Sequence, residues 1–431
     1  MTTFRALRSR NFRLFFTGQS ISLIGTWMTR LATSWMVYRL TDSPFMLGLV
    51  GFTGQISALV LSPLAGVWVD RLDRHRTLVA TQVLAMLQSL ALAVLALTGS
   101  VNIGWVILLT FWQGVINTIE TPARQSFVIE MVEDRADLSN AIALNSSIVN
   151  AGRLVGPAIA GVVIAWVGEG YCFLIDGLSY IAVIYSLLAM KLRPMEIRQS
   201  EKHVWHEMVE GWRYSVASPA IRWILLMLGL VSLIGMPFST LMPIMARDVL
   251  HGGAHTLGFL TSAVGLGALV CAIALAVRKS VVGLGKWLAI AAATLGVSLI
   301  LFGLSRNFWL SMILMFGAGF GMMQQIVTSN TILQTIVADD KRGRVMSFYS
   351  LAVFGFLPIG SLIGGTLADR FGAPETLMIG GALCLLAAAW FWGRLPEVRR
   401  AIRPVYEELG ILVGNPVSGQ PPQPHEDSTL R

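Results

Sequence analysis

The chain has 431 residues, of which 55% are hydrophobic and 13% are charged, and its mean hydropathy is +0.67. A soluble domain carries about 25% charged residues, so this composition excludes a soluble fold and indicates a protein that lies mostly within a membrane. The net charge of +8 is typical of basic cytoplasmic loops and calls for no nucleic-acid partner.

Twelve apolar runs, each long enough to cross a bilayer as a helix, follow one another along the chain. Six precede a polar stretch at residues 191–220 and six follow it. The runs lie near residues 14–37, 46–68, 77–98, 103–122, 139–167, 171–190, 221–245, 256–277, 285–304, 308–330, 345–367 and 374–395. We expect an all-α membrane protein of twelve transmembrane helices in two six-helix bundles. The expected parts are an N-terminal bundle (1–190), a cytoplasmic linker with an interfacial amphipathic helix (191–220), a C-terminal bundle (221–395) and a disordered cytoplasmic tail (396–431).

The basic residues indicate how the spans are oriented. With the N-terminus inside, 26 of the 32 Lys and Arg residues fall on the cytoplasmic side, four fall on the other side and two lie within spans. Cytoplasmic loops carry such an excess, so both termini are predicted to be cytoplasmic. The basic start runs directly into a span too long for a signal peptide. We therefore expect a multi-pass protein of the bacterial cytoplasmic (inner) membrane.

Two pairs of segments repeat between the halves in the same direction. The segment from Leu47, LGLVGFTGQISALVLSPLAGVWVD, resembles LGFLTSAVGLGALVCAIALAVRKS from Leu257, an offset of 210 residues. GPAIAGVVIAWVG at 156–168 parallels GSLIGGTLADRFG at 360–372, an offset of about 204. Parallel repeats of this kind are related by an axis along the membrane normal.

The loop between spans 2 and 3 reads GVWVDRLDRHR and is similar to motif A of the major facilitator superfamily. The matching residues are Gly66, Asp70, Arg71, Arg74 and Arg76. The resemblance implies two bundles that rock around a central cavity, with Asp70 meeting the start of span 11, at residues 341–346, when the protein is open to the outside. The arginines are expected to engage anionic headgroups or the acids of the next cytoplasmic loop, Glu130, Glu133 and Asp134.

Span 5 contains GRLVGPAIAG, which resembles the antiporter signature, motif C, of the same superfamily. Its small residues and proline predict close helix packing and a bend. These residues are Gly152, Gly156, Pro157 and Gly161. In span 4, Gln113 and Gly114 match motif B but Thr110 replaces its arginine, which casts doubt on the family's usual proton relay.

Four ionisable residues lie within the predicted spans, where charge is costly and usually functional. They are Arg30, Glu120, Arg153 and Asp176. Glu120 is expected near the cytoplasmic edge beside Arg124. Our hypothesis for proton coupling is that Asp176 titrates and that Arg30 or Arg153 tunes it; a static buried ion pair is the alternative.

By family resemblance, spans 1, 4, 7 and 10 line the substrate cavity. Their aromatic, methionine and amide side chains suit bulky amphipathic ligands, because methionine adapts to varied shapes; lipid-facing positions have a similar composition. The predicted cavity residues are Trp27, Trp112, Asn117, Met227, Phe238, Met323, Gln324 and Gln325.

No cofactor, metal site or enzyme activity is predicted. The three cysteines lie in apolar runs, no phosphate-binding loop occurs, and no nucleophile–base pattern is present. The stretches TPARQ at 121–125 and LSNAIALNSS at 138–147 resemble the bacterial exporter subfamily that holds enterobactin exporters and macrolide efflux proteins.

The leading functional hypothesis is a secondary active, proton-coupled exporter of amphipathic small molecules, drug-like or siderophore-like, acting as a monomer by alternating access. The expected partners are the substrate, protons and membrane lipids. The alternatives are a lipid or lysolipid translocase, and a non-transporting membrane receptor or scaffold. The gating and antiporter motifs disfavour the scaffold, which has no need of a gate.

Overall fold

In the computed structural model, residues 5–132, 134, 137–190, 204–278 and 280–411 are described, and they form long helices joined by short loops. Their side chains are described as well, except at residues 62–71, 129 and 204–208. Among these residues, secondary structure is helical throughout. The predicted all-α class is therefore correct.

The N-terminal half begins with a 3-10 turn at Arg5–Arg8 and continues with α1 (Arg10–Thr41), α2 (Pro44–Arg71), α3 (Arg74–Leu97), α4 (Ile103–Met131), α5 (Leu138–Val167) and α6 (Glu169–Leu188). The linker region carries α7 (Val204–Ala217). The C-terminal half contains α8 (Pro219–Ile234), α9 (Phe238–Ile244), a π-helical segment (Met245–Val249), α10 (Ala254–Val277), α11 (Leu284–Leu304), α12 (Phe308–Ile336), α13 (Asp339–Ser350), a second π-helical segment (Leu351–Gly355), α14 (Phe356–Phe371) and α15 (Ala373–Glu408).

Eleven helical stretches within the described residues are long and apolar enough to cross a membrane. Two of them combine several elements, since α8 to Val249 forms one stretch and α13 to α14 forms another. Helix α1 is not among the eleven, although it has 32 residues. Its lower hydropathy follows from polar and basic residues such as Gln19 and Arg30, yet it packs along α5 and α6 inside the first half.

Sequence-local capping fixes where several helices begin. The side chains of Ser43, Asp73, Asn102 and Asn307 accept hydrogen bonds from backbone N–H groups in the first turns of α2, α3, α4 and α12. Such caps satisfy donors that the helix itself leaves unpaired. Only two residues separate α1 from α2 and α2 from α3, so these consecutive helices run in opposite directions. We call the side that carries α7 and the α2–α3, α4–α5, α10–α11 and α12–α13 loops the linker face, and the opposite side the far face.

The two halves meet along α5 with α10 and along α2 with α14. At the first contact a methyl group on Gly161 would lie 2.8 Å from the Ala254 carbonyl oxygen and 3.0 Å from the Gly258 Cα. At the second, a methyl group on Gly48 would lie 2.6 Å from the Ser361 carbonyl oxygen. Backbone therefore touches backbone in both places, as small residues permit in membrane helices.

Helix α7 attaches to the beginning of α13. The Glu210 carboxylate accepts a hydrogen bond from Lys341 and pairs with Arg344 at 2.7 Å, and the Trp212 ring lies tilted with its centre 5.8 Å from that of the Phe348 ring. The hydrogen bond from Lys341, together with the charge of Arg344, holds the pKa of the Glu210 carboxyl below its usual range. The linker is thus fastened to the second half.

The predicted disordered tail begins at residue 396, but α15 continues as a helix to Glu408. The helix extends past residue 396 because one of its faces is buried. Leu395, Val398, Ile402 and Tyr406 recur at helical spacing and are buried, so they bind the extension to the rest of the fold. The remainder of the predicted tail lies outside the described residues.

We predict that Gly161→Ala destabilises the protein, because the added methyl group meets backbone that cannot move without separating the halves. Overpacking of this kind costs about 1–3 kcal/mol. The measurement is thermal unfolding in detergent followed with a thiol-reactive dye, since Cys172, Cys271 and Cys384 are all buried. Gly343→Ala is the matched control: it lies in α13 with nothing within 4 Å of the added methyl group. Equal stability of the two variants would contradict the tight contact.

Candidate functional site

A cluster of polar side chains joins the two halves at the far face. Arg247, in the first π-helical segment, pairs with Asp42 at the end of α1, and its guanidinium lies 5.3 Å from the centre of the Tyr38 ring. Tyr38 donates a hydrogen bond to the adjacent Asp248. These residues close the space between α1 and α9 on that side.

Several other ion pairs among the described residues join groups of the same half. On the linker face, Arg74 pairs with Glu130 at 2.8 Å and Arg124 with Glu120 at 3.1 Å, both within the first half. The glycine contacts between the halves run from Gly161 with Gly258, near the far face, to Arg153 with Gly265, midway along α5 and α10. This arrangement describes a molecule closed at the far face.

Asp176 is 2% exposed and lies where α1, α3 and α6 meet. Thr29 donates a hydrogen bond to its Oδ2 at 2.8 Å, and the Ser89 hydroxyl lies 3.0 Å from the same oxygen. The Ser89 hydroxyl is also 3.0 Å from the Phe173 carbonyl oxygen. Neither Arg30 nor Arg153 forms an ion pair with Asp176 in the described structure. The hydroxyl groups, not a cation, surround this carboxyl group.

Arg30 and Arg153 instead flank Trp27. The guanidinium carbons lie 4.9 Å and 5.2 Å from the centre of the indole ring. Trp27 in turn rests on α5, where methyl groups on Gly152 and Gly156 would lie 3.1 Å and 2.6 Å from its side-chain atoms. The two predicted intramembrane cations are therefore brought together by one aromatic side chain.

The motif C residues face two neighbours at once. Gly152 and Gly156 lie against α1, while Gly161 and the Pro157 carbonyl oxygen lie against Gly258 of α10. Helix α5 therefore links packing within the first half to packing between the halves.

Part of motif A falls outside the described side chains. This applies to Gly66, Asp70 and Arg71, so their predicted gating role stays a prediction. Of the other residues of that loop, Arg74 pairs with Glu130 of α4, and Arg76 pairs locally with Asp73 at 3.6 Å. Glu133 is also outside the described residues.

The predicted cavity residues differ in exposure, and their role in a cavity stays a prediction. Met227, Phe238, Gln324 and Gln325 are buried, and the Gln324 amide donates to the Trp287 carbonyl oxygen on α11. Trp112 is 46% exposed, and Leu108 and Trp105, one and two turns away on α4, are 53% and 46% exposed. Trp27, Asn117 and Met323 are partly buried, and Asn117 accepts from Gln113.

Sequence reasoning missed the far-face cluster of Tyr38, Asp42, Arg247 and Asp248. Two signals were present in the sequence. Arg247 is one of four basic residues on that side, and Tyr38 and Asp248 are separated by the repeat offset of 210.

Among the described residues there is no group of His, Cys, Asp and Glu able to hold a metal ion.

A family model described as transmembrane secretion effector matches residues 1–407. The chain is 24% identical to the staphyloferrin A transporter of Staphylococcus aureus over 387 residues, covering 89% of this chain and 96% of the relative. It is 26% identical to the multidrug efflux pump Tap of Mycolicibacterium fortuitum, with coverage of 88% and 95%. It is also 26% identical to the enterobactin exporter EntS of Escherichia coli O1:K1, with coverage of 90% and 92%.

Among solved structures, the fold is similar to a bacterial homologue of the human lysosomal transporter Spinster in an inward-facing and occupied conformation. The TM-score is 0.70 at 15% identity, with 93% of this chain and 98% of that chain covered. The likeness supports the predicted superfamily fold.

We predict that Arg247→Gln weakens closure of the far face. Exposed ion pairs contribute about 0.2–1 kcal/mol, so the ratio of open to closed molecules should rise up to roughly fivefold. Spin labels at positions 40 and 251, both exposed beside the cluster, would report the change as a larger share of long distances.

Arg306→Gln is the control for this measurement. Arg306 also lies at the far face, but its guanidinium bonds only the Gly303 and Ser305 carbonyl oxygens of its own half. A distance distribution unchanged by Arg247→Gln would show that the cluster does not hold the face closed.

Proposed function

The chain belongs to the transmembrane secretion effector family of the major facilitator superfamily, and we propose from this premise that it exports amphipathic small molecules in exchange for protons. It is a multi-pass protein of the bacterial inner membrane and a secondary active transporter of the exporter type. Its relatives are transporters, and we propose that it has no enzymatic activity and works as a monomer.

We propose that α1 is the twelfth span and that both termini are cytoplasmic. Helix α1 lies beside α5 and α6, which are spans in their own right, and its 32 residues exceed the roughly 20 that a bilayer requires. The 26-to-four distribution of basic residues supports a cytoplasmic linker face. The far face is then the outer face, and we propose that this conformation, with its outer face closed, is the one open to the cytoplasm.

In this scheme the far-face cluster is the outer gate. Outward opening requires Arg247 to leave Asp42 and requires the halves to rock about the glycine contacts. Because those contacts are formed by backbone and small side chains, the helices can change their angle there without repacking large groups. Asp70 and the start of α13 would close the cytoplasmic side in the opposite state.

The observation that carries proton coupling is the environment of Asp176. An isolated charge at this depth is costly, and two hydrogen-bond arrangements are available to the carboxyl group. When it is ionised, Ser89 donates to Asp176. When it is protonated, Asp176 donates to the Ser89 oxygen and Ser89 donates to the Phe173 carbonyl oxygen. Since a hydroxyl group both donates and accepts, the site can hold or release a proton without losing its bonds.

Asp176 is also in contact with α1, the helix that carries Trp27 and Arg30. Thr29, which donates a hydrogen bond to Asp176, is on α1. A methyl group on Gly25 of the same helix would lie 2.8 Å from the Asp176 Oδ1. Trp27 and Arg30 belong to the same stretch of α1. A shift of α1 on rocking therefore changes the surroundings of the carboxyl group.

We predict that Asp176→Asn abolishes proton-linked transport. In energised inverted membrane vesicles with a pH-sensitive dye, a transported compound should collapse part of the gradient for the native chain and leave it intact for the variant, because asparagine cannot carry a proton. Macrolides, lipophilic cations, catecholate siderophores and lysolipids form the panel.

Asp369→Asn is the matched control, since Asp369 is exposed at the end of α14. Full coupling in Asp176→Asn would remove this residue from the proton pathway. A response to lysolipids alone would favour a lipid translocase over an exporter of soluble compounds.

A further inference from the structure

Two positive charges lie at mid-depth in the first half. Arg30 is 12 residues before Asp42, and Arg153 is 14 residues before Val167, so at 1.5 Å per residue they lie about 18 and 21 Å from the far-face ends of α1 and α5. Each guanidinium carbon is about 5 Å from the centre of the Trp27 ring. The two charges are therefore no more than about 10 Å apart.

Arg30 points away from lipid. It is exposed and stands nine residues after Ile21, which places the two on opposite sides of α1. Ile21 is 55% exposed on the outer side. The two faces of α1 that lie between Ile21 and Arg30 are covered by other helices: Trp27 lies against α5 on one, and Thr29 donates a hydrogen bond to Asp176 of α6 on the other. The exposed surface around Arg30 therefore faces the interior.

Arg153 points into the same interior space. On one side of it, Gly152 and Gly156 touch α1; on the other, the backbone at Arg153 and Leu154 touches Gly265 of α10. The lipid-facing side of α5 is marked by other residues, Val155 and Ile159, which are 40% and 39% exposed. Arg153 thus lies between α1 and the second half.

No carboxylate balances these two charges in the described structure. The acids of the first half have other partners: Asp176 bonds Thr29 and Ser89, Glu120 pairs with Arg124, and Glu130 with Arg74. Glu169 pairs with Arg39 at the far face. An uncompensated charge within a membrane is costly, so an anion bound between these two guanidinium groups would lower that cost.

We propose that Arg30 and Arg153, with Trp27 between them, bind a carboxylate-type group of the transported compound, and that the substrates of this chain are amphipathic organic anions. Guanidinium groups bind carboxylates through paired, charge-assisted hydrogen bonds. The indole ring provides an apolar surface for the carbon skeleton beside the charge. The proposal rests on the exporter function for its substrate, but binding itself requires no proton gradient.

The test is equilibrium binding to the purified full-length chain in nanodiscs, measured by calorimetry. The probes are naphthalene-2-carboxylate and the neutral naphthalene-2-carboxamide, which share one shape and differ in charge. We expect the carboxylate to bind at least tenfold more tightly than the amide. Equal affinity, or no carboxylate binding below millimolar concentration, overturns the proposal.

Variants assign the binding to the two arginines. Arg30→Gln and Arg153→Gln should each lower the carboxylate affinity at least tenfold and leave the amide affinity within twofold, while Arg30→Lys should recover part of the loss because the charge returns. Arg278→Gln is the control, since Arg278 also lies over a tryptophan, at 5.9 Å from the Trp287 ring centre, but outside the first half. Affinity that survives both glutamine substitutions overturns the assignment.

Protein integrity and function are checked separately. Thermal unfolding with the thiol-reactive dye shows whether each glutamine variant is folded, and Arg30→Lys provides the comparison if one is not. Carboxylate binding without proton-linked transport in vesicles would refute the coupling and leave this site standing. Proton-linked export of cations alone would refute this site and leave the coupling standing.

Discussion

The contact of backbone with backbone at two glycine pairs is the constraint on which the remaining architecture depends. Gly161 meets Gly258, and Gly48 meets Gly365. The repeat relates these pairs to each other, because Gly48 and Gly258 are 210 residues apart and Gly161 and Gly365 are 204 apart. One interface is therefore used twice, on either side of the interior. Its closeness fixes how far the halves stand apart along α5 with α10 and along α2 with α14.

The chemistry within this symmetric frame is asymmetric. The intramembrane acids and cations belong to the first half, and where Glu120 stands the repeat has Gln325 in the second. Gln325 is fully buried, so the second half presents a packed wall at that position. Proton binding and anion binding would then both involve α1, through Thr29 on one side of the helix and Arg30 on another. In this arrangement the first half carries the charged groups, and the second half provides the surface against which the first half rocks.

Much of the fold follows from the sequence, because apolar length and repeat offset are properties of the chain itself. The glycine motif of α5 and the repeated segment around Leu47 also mark the residues at the interface between the halves. The site is harder to predict, since it depends on direction around a helix. Trp112 and Gln325 are both predicted cavity residues, yet one is exposed and the other buried, and Arg30, predicted as a partner for Asp176, lies beside Trp27 instead. Arg247 and Asp42 meet across 205 residues, and no local pattern specifies such a pair.

The uncompensated arginine pair has a consequence for the energy source. A carboxylate leaving the cytoplasm moves down an inside-negative membrane potential, which favours it by about 2.3 kcal/mol per elementary charge per 100 mV. A proton that enters on Asp176 also moves down this potential, because it carries positive charge towards the negative inside. An exchange of one proton for one singly charged anion would therefore transfer two charges in each cycle, so voltage as well as the pH gradient would drive export.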